Sequence, residues 1–379
     1  MKITQVYALV NDATKEVLGE QALIKEDLSD VVSVGEQIAN MNLYDKYVGA
    51  LVNRIARSIF VDRRYAGRVP SVLMDSWEFG SIVQKAHMKV PEAEENETWE
   101  LVDGATYEEN QFYKPQVVVK LWNQKTTFEV PISIAEEQLK QSFLGAEEMA
   151  RFVAMIYQVV ENSLTLKVDA LIMRTINNFI GATIEDGGAT RVIHLLSEYN
   201  LIKGTTLTSA NCLYDKDFLR YVAFRMKQIA TRLSVFSTLF NIGGTEKFTP
   251  REDLRIVLHE TVDAGVSAFL QSDTFHDELV KLPQADVVPF WQGSGTSFAL
   301  ADTTKINVSV LDSSGTKQDV EEDYIIACMF DRNALGVTAM KKRVTSKYNA
   351  KAEFYNYWYK EDAGYFNDYN ENFVVFLAD

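Results

Sequence analysis

The sequence predicts an α+β fold built around one long helix, and three observations predict it. From Ala146 to Ile180 the chain has neither Gly nor Pro, and apolar residues recur at Met149, Phe152, Val153, Ile156, Val160, Leu164, Val168, Leu171, Ile172, Ile176 and Phe179. That is the three-and-four spacing of one buried stripe, and at 1.5 Å per residue the helix spans ~50 Å. Upstream, the alternating stretch Val117 to Val130 reads as a strand that runs through Pro131 towards the helix. The chain then closes on strand patterns at Tyr324–Phe330, Phe354–Tyr359 and Phe373–Leu377. A helix of this length fed by a two-stranded arm suits a subunit that reaches its neighbours.

Taken in order, residues 1–58 mix short polar and apolar pieces. Leu28 to Met41 reads as a helix capped by Ser29 or Asp30, and Leu43 to Ile59 as a second. They are expected to form an N-terminal arm without a core of its own. Residues 59–130 read as an extended β loop, with strand candidates at Ser71–Met74 and Gly80–Lys85. Residues 131–180 hold the turn and the long spine, whose polar face carries Glu147, Arg151, Gln158, Glu161, Thr165 and Asp169. Gly181 and the Asp186-Gly187-Gly188 turn are expected to end it. Residues 181–320 read as an α/β lobe. Asp215 caps a helix bearing Phe218, Val222, Met226, Ile229 and Leu233. Leu254–His259 is a strand, Val262–Leu270 and Phe275–Leu279 are short helices, and strands follow at Ala285–Phe290 and Ile306–Val310. A Gly/Ser/Thr loop occupies 293–297. Residues 321–379 return as β, with Tyr355, Tyr357 and Tyr359 alternating with Phe354 and Trp358, so that both faces are expected to be covered.

Composition narrows the function. A hydrophobic fraction of 47% over 379 residues supplies a real core, while a net charge of −15 argues against tight non-specific binding to a phosphate backbone. No run approaches the ~18 apolar residues of a membrane span, and Met1-Lys2-Ile3-Thr4-Gln5 does not open a secretory signal; the expectation is an intracellular, soluble chain. Cys212 and Cys328 lack metal spacing and read as buried small hydrophobes. There is no phosphate-binding GxxxxGK[ST], no dinucleotide GxGxxG and no GxSxG elbow. His259-Glu260-Thr261-Val262-Asp263 begins like a zinc-protease helix but has Asp where the second His must stand. His87, His194 and His276 are isolated. No catalytic residue, cofactor site or metal site is assigned.

Charge patterning is more informative. Between Glu92 and Glu109 the sequence has eight acids and no base, among them Glu92, Glu94, Glu95, Glu97 and Glu100. Arg54, Arg57, Arg63, Arg64 and Arg68 flank the loop, and Lys341, Lys342 and Arg343 precede the aromatic strands. Solvated surface explains each group. The sharper expectation is that these basic groups receive the acidic loop of a neighbouring subunit, since complementary charge gives register more than raw affinity.

The order of arm, β loop, spine, α/β lobe and return strands resembles the major capsid protein of tailed bacteriophages, the Hong Kong 97-like coat fold. Thr127 to Leu139 is similar to that family's passage from extended loop to spine. Phe218–Leu233, Glu252–Leu258 and Leu279–Phe290 are similar to the axial lobe of head proteins from small short-tailed phages, and Phe354-Tyr355-Asn356-Tyr357-Trp358-Tyr359 to their aromatic strand. The resemblance implies an N-terminal arm (1–58), an extended β loop (59–130), a peripheral domain with spine (131–180), an axial domain (181–320) and return strands of the peripheral domain (321–379). It implies a shell of hexamers and pentamers of this chain, icosahedral or prolate, in the virion. Separate scaffolding and portal proteins, enclosure of double-stranded DNA without specific binding, and assembly in the host cytoplasm come with it. Some family members cross-link subunits through a Lys–Asn bond; Lys85 or Lys89 would lie in the loop, with no partner Asn marked. The competing expectations are an encapsulin-type nanocompartment shell and, from another class, a soluble α/β enzyme with an unrecognised site.

Overall fold

The structure is a computed structural model that describes residues 3–19, 24–41, 43–62, 69–74, 83–91, 93, 102–106, 110, 112–269, 285–292, 304–312 and 315–379. Three helices open it: α1 (Ile3–Leu18), α2 (Val31–Asn40) and α3 (Tyr44–Asp62). Strands β1 (Leu73–Met74), β2 (Val83–Met88), β3 (Val117–Trp122) and β4 (Lys125–Ala135) follow, then α4 (Glu136–Ser142) and α5 (Ala146–Asp186). The chain continues through β5 (Val192–His194), α6 (Leu195–Lys203), α7 (Lys216–Leu233), β6 (Leu254–His259), α8 (Glu260–Phe269) and β7 (Ala285–Val288). It closes on β8 (Ile306–Leu311), β9 (Lys317–Glu322), β10 (Ile325–Asp331), β11 (Leu335–Asn349), β12 (Phe354–Asn367) and β13 (Phe373–Leu377). Contacts divide the chain into two compact units, with α5 residues up to Ile172 counted in the first and those from Met173 in the second.

The first unit comprises Met1–Phe79, Lys125–Ile172 and Val337–Gly364. Its core joins Val6 and Val10 of α1, Ile38 of α2, Leu51 and Ile55 of α3, the α5 stripe Met149-Val153-Ile156-Val160-Leu164, and Tyr355, Tyr357 and Tyr359 of β12. The apolar faces of the opening segment are buried on α5 and the sheet of its own chain. The helix α1 escaped the sequence reading because its apolar spacing is broken by Thr4, Asn11 and Thr14; the last two are buried and satisfied, Thr14 Oγ1 donating to the Val10 carbonyl at 2.9 Å and Asn11 Oδ1 accepting from the Ile24 amide at 3.1 Å. The sheet runs β1-β11-β12-β4. On β12 only the Tyr355-Tyr357-Tyr359 face is sealed. The other is half-exposed and carries cross-strand polar pairs with β4: Lys360–Glu129 at 2.9 Å, Ser133–Asn356 at 2.6 Å and Thr127–Asp362 at 2.6 Å.

The second unit comprises Gly80–Gln124, Met173–Gly336 and Tyr365–Asp379. Its sheet has the order β5-β13-β10-β6-β7, with β10 antiparallel to both β13 and β6. Every residue of β10 and β13 is buried, which is why both read as unbroken apolar runs. Helices α6, α7 and α8 cover one face through Leu196, Phe218, Met226, Ile229 and Val262. Asp215 caps α7 as expected, its Oδ1 accepting from the Phe218 amide at 2.8 Å. Phe179 of α5 stacks on Phe373 with ring centroids 4.1 Å apart. Residues 321–379 thus do not return as one body: β10 and β13 complete this sheet, whereas β11 and β12 pair with β4 in the first unit.

Three further expectations change. Val117–Val130 is not one strand; it breaks at Asn123-Gln124, β3 pairing with β2 and β4 with β12. Gly181 does not stop α5, which continues to Asp186. A Cβ at Gly181 would lie 2.5 Å from Val308 Cγ2 of β8, so glycine here serves close packing of the β8–β9 hairpin on the helix. Asp169, expected on the polar face of the spine, is 7% exposed. The segments 270–284 and 293–303, with the helix expected at Phe275–Leu279 and the Gly/Ser/Thr loop, lie outside the described residues.

Candidate functional site

The β2–β3 ribbon carries the feature that most needs a partner. Its antiparallel register sets Lys85 opposite Lys120, Ala86 opposite Val119 and Met88 opposite Val117. Opposed residues share a face, so Lys85, Lys120 and Trp122 look one way while Ala86, Met88, Val117, Val119 and Leu121 look the other.

The lysine face is anchored. Two lysines directly opposite repel one another, and here both are held by one carboxylate: Asp368, 3% exposed, lies 3.3 Å from Lys85 Nζ and 3.3 Å from Lys120 Nζ. Glu371 sits 3.0 Å from Lys247 Nζ and 3.9 Å from Lys85 Nζ. Lys85 also donates to the Asn333 carbonyl and lies 5.0 Å above the Phe366 ring. Trp122 packs against Phe366 at 5.5 Å and donates Nε1–H to the Asn367 carbonyl at 3.2 Å. Lys85, raised from sequence as a cross-linking candidate, is here a structural cation.

The opposite face is open. Met88, Val117, Val119 and Leu121 are each about half exposed or more, Leu121 reaching 63%, and beyond the paired residues Phe112 is 83% exposed. A contiguous row of aliphatic side chains on a two-stranded ribbon is a docking surface by its chemistry, and such a ribbon is marginally stable without cover.

The residues singled out by charge fare differently. Arg54 pairs within its own unit, to Glu16 at 3.0 Å and Asp12 at 3.4 Å on α1. Arg57 falls in α3, with its side chain outside the described residues, as are Arg63, Arg64 and Arg68. Glu92, Glu94, Glu95, Glu97 and Glu100 lie outside them as well. Lys341, Lys342 and Arg343 fall on β11, a strand the sequence reading missed. Arg343 contacts Asp362 at 2.6 Å. Partial burial pushes the Asp362 carboxyl up, but hydrogen bonds from Arg343 and Thr127 outweigh it and hold the group below the usual range. Lys341 is exposed. The Lys85–Lys120–Asp368–Glu371–Lys247 cluster went unread because its members are scattered along the sequence. The one local signal is a lysine within each of two apolar strand patterns, Lys85 and Lys120.

Catalytic chemistry has little to build on among the described residues. No group of three His, Cys, Asp or Glu residues is placed to hold a metal ion. Both thiols are buried, and burial pushes Cys212 up to about 11 and Cys328 higher still, so neither is a ready nucleophile. His259 ends β6, its Nδ1 lying 2.8 Å from Thr261 Oγ1. No described helix is long and apolar enough to cross a membrane.

A family model described as "Phi29-like phage major capsid protein" matches residues 9–377. Among solved structures, the chain is similar to one from a capsid structure of Staphylococcus phage Andhra, with a TM-score of 0.55 and 9% identity over 84% of this chain and 86% of that one. It is similar also to a chain from a structure of the head fibre and inner core protein of bacteriophage P68, with a TM-score of 0.54 and 10% identity over 84% and 86%. At such identities the likeness is one of fold. No curated protein sequence matches.

Proposed function

This chain belongs to the Phi29-like phage major capsid proteins, and from that premise we propose that the open face of β2–β3 is the surface by which one copy grips the next. A member of that family is a shell-forming structural protein of the virion, with the mixed helix-and-sheet fold of phage capsid subunits. The observation that carries the interface is the row Met88, Val117, Val119 and Leu121, left in water by a chain that buries the similarly apolar β10 and β13 throughout.

In this reading the anchored lysine face fixes the direction of the ribbon, and the open face buries on a neighbouring copy. Subunit contacts that close by rotation give rings, here hexamers and pentamers. The first unit corresponds to the peripheral domain and the second to the axial domain with the extended loop. The acidic segment 92–109 would then meet basic groups of a neighbour, with exposed Lys341 the best placed of those described and Arg54 and Arg343 already committed within the chain. Scaffolding and portal proteins as separate partners, assembly in the host cytoplasm, a structural rather than catalytic role, and double-stranded DNA held without specific binding complete the proposal. The acidic balance of the chain, −15 overall, favours a wall from which packaged DNA is not bound tightly.

The test is a double substitution, Val119→Asp with Leu121→Asp. The subunit is expected to keep its circular dichroism spectrum while electron microscopy shows no shells, tubes or rings. Particles of normal number and shape from the variant would refute the interface.

A further inference from the structure

The second unit carries a cavity that the ribbon does not explain. It measures about 560 Å³. Its apolar walls are Ile184 of α5, Val192 of β5, Leu201 of α6 and Leu377 of β13. Leu201 is 87% exposed at the rim, more than any other large apolar side chain among the described residues, and Ile202 beside it is also exposed. A helix end that leaves two consecutive aliphatic side chains in water beside an apolar hollow is an unfinished surface.

The polar wall holds His194, Ser197, Glu198 and Glu322. Glu322, at the end of β9, lines the cavity, and burial raises its carboxyl above the usual value. Asp379 pairs with His194 Nδ1 at 2.8 Å, and its carbonyl accepts from the Ser197 amide and hydroxyl at 3.1 and 2.9 Å. Glu198 is already satisfied by Arg225, at 2.7 and 2.8 Å, and by the Tyr221 hydroxyl at 2.9 Å. Among the described residues no lysine or arginine lines the cavity. Apolar walls with an acidic group at one side match a side chain that has a methylene stem and a cationic head, the shape in which lysine and arginine bury.

We propose that this cavity receives a lysine or arginine side chain from a second copy of the chain, its stem against Val192, Leu201 and Leu377 and its head at Glu322. The inference rests on the shell reading, which supplies the second copy, and adds a contact separate from the β2–β3 ribbon. Charge complementarity fixes the register of such a contact, and repetition around a closed shell multiplies it.

The test is carboxyl footprinting of the wild-type chain with a water-soluble carbodiimide and an amine, comparing unassembled subunits with shells. Modification of Glu322 is expected to fall about tenfold in shells, equivalent to ~1.4 kcal/mol against its exposure. Alongside it, Glu322→Arg and Leu201→Asp are each expected to lower the assembled fraction about tenfold with the circular dichroism spectrum unchanged. Equal modification of Glu322 in subunits and shells overturns the inference and leaves the shell reading standing, as does assembly of both variants at the wild-type level. A wild-type chain that builds no shell even with its scaffold co-expressed overturns both.

Discussion

Strands β13 and β3 are written in nearly the same residues and meet opposite fates. Phe373–Leu377 reads Phe-Val-Val-Phe-Leu and is buried throughout, whereas Val117–Trp122 reads Val-Val-Val-Lys-Leu-Trp and leaves three valines and a leucine exposed. The difference lies in their neighbours. Strand β13 has β5 on one side and β10 on the other, with α6–α8 packed on one face and Phe179 stacked on the other. Among the described residues strand β3 pairs with β2 alone, and only its Lys120–Trp122 face is held. Residue type says that a strand wants cover; topology says whether its own chain supplies it.

The comparison predicts opposite results from equally disruptive substitutions. Phe376→Ala on β13 is expected to cost ~3–5 kcal/mol, the range for a large aromatic lost from a packed core. That is much of the 5–15 kcal/mol total typical of a domain, so urea unfolding should show a fold near collapse. Leu121→Asp on β3 is expected to leave subunit stability within about 0.5 kcal/mol, as for ordinary surface changes, and to abolish particles. A Leu121→Asp subunit that unfolds on its own would mean that the ribbon is covered by its own chain, and the contrast between the two strands would be gone.

A smaller effect is expected where the ribbon meets its anchor. Asp368→Ala removes the carboxylate shared by Lys85 and Lys120. Breaking a fully buried pair costs 3–5 kcal/mol, but both lysines are a quarter to a third exposed, so about 2 kcal/mol is the fair expectation. Hydrogen exchange should locate the loss: amides of β2 and β3 exchange faster while those of β13 stay protected. Uniform acceleration in both strands would show that Asp368 supports the whole unit and not the ribbon in particular.

Smaller again is Gly181→Ala. The new methyl meets Val308 Cγ2 at 2.5 Å, an overpacking cost of ~1–3 kcal/mol, against a gain of ~1 kcal/mol in helix propensity. A net loss of about 1 kcal/mol is expected, recovered when Val308→Ala is added. Failure of the second change to restore stability in a double-mutant cycle would place the strain elsewhere.

What the sequence made legible follows the same divide. The α5 stripe, the Asp215 cap and the buried runs of β6, β10 and β13 were readable because each is decided within a few residues by periodicity, a capping side chain or continuous apolarity. Strand β11 was not, since Leu335–Asn349 mixes small, basic and hydroxyl residues and becomes a strand by pairing with β12 and β1. The ribbon's anchor was not, because Lys85, Lys247 and Asp368 meet only in the folded chain. Arg54 shows the converse: its charge was plain, but its partners Asp12 and Glu16 required α1, which the periodicity did not reveal.

Thiol chemistry gives the mildest probe of the same contrast. Both native cysteines are buried in the second unit, Cys212 with its Sγ 3.6 Å from the Ser209 carbonyl and Cys328 in the middle of β10. Desolvation raises Cys212 from 9.0 to about 11. A thiol whose folded value is raised keeps its contribution to stability below the unfolded value and loses it as pH climbs through the folded one, because the unfolded chain gives up the proton first. The stability difference between wild type and Cys212→Ala should therefore be flat below pH 9 and shrink between pH 9 and about 11. At pH 8 neither native thiol should react with a maleimide, whereas a cysteine placed at Val119→Cys should react within minutes in the free subunit and be shielded in shells. A Val119→Cys that reacts equally fast in both would return the ribbon to solvent and leave the shell to be held by other surfaces.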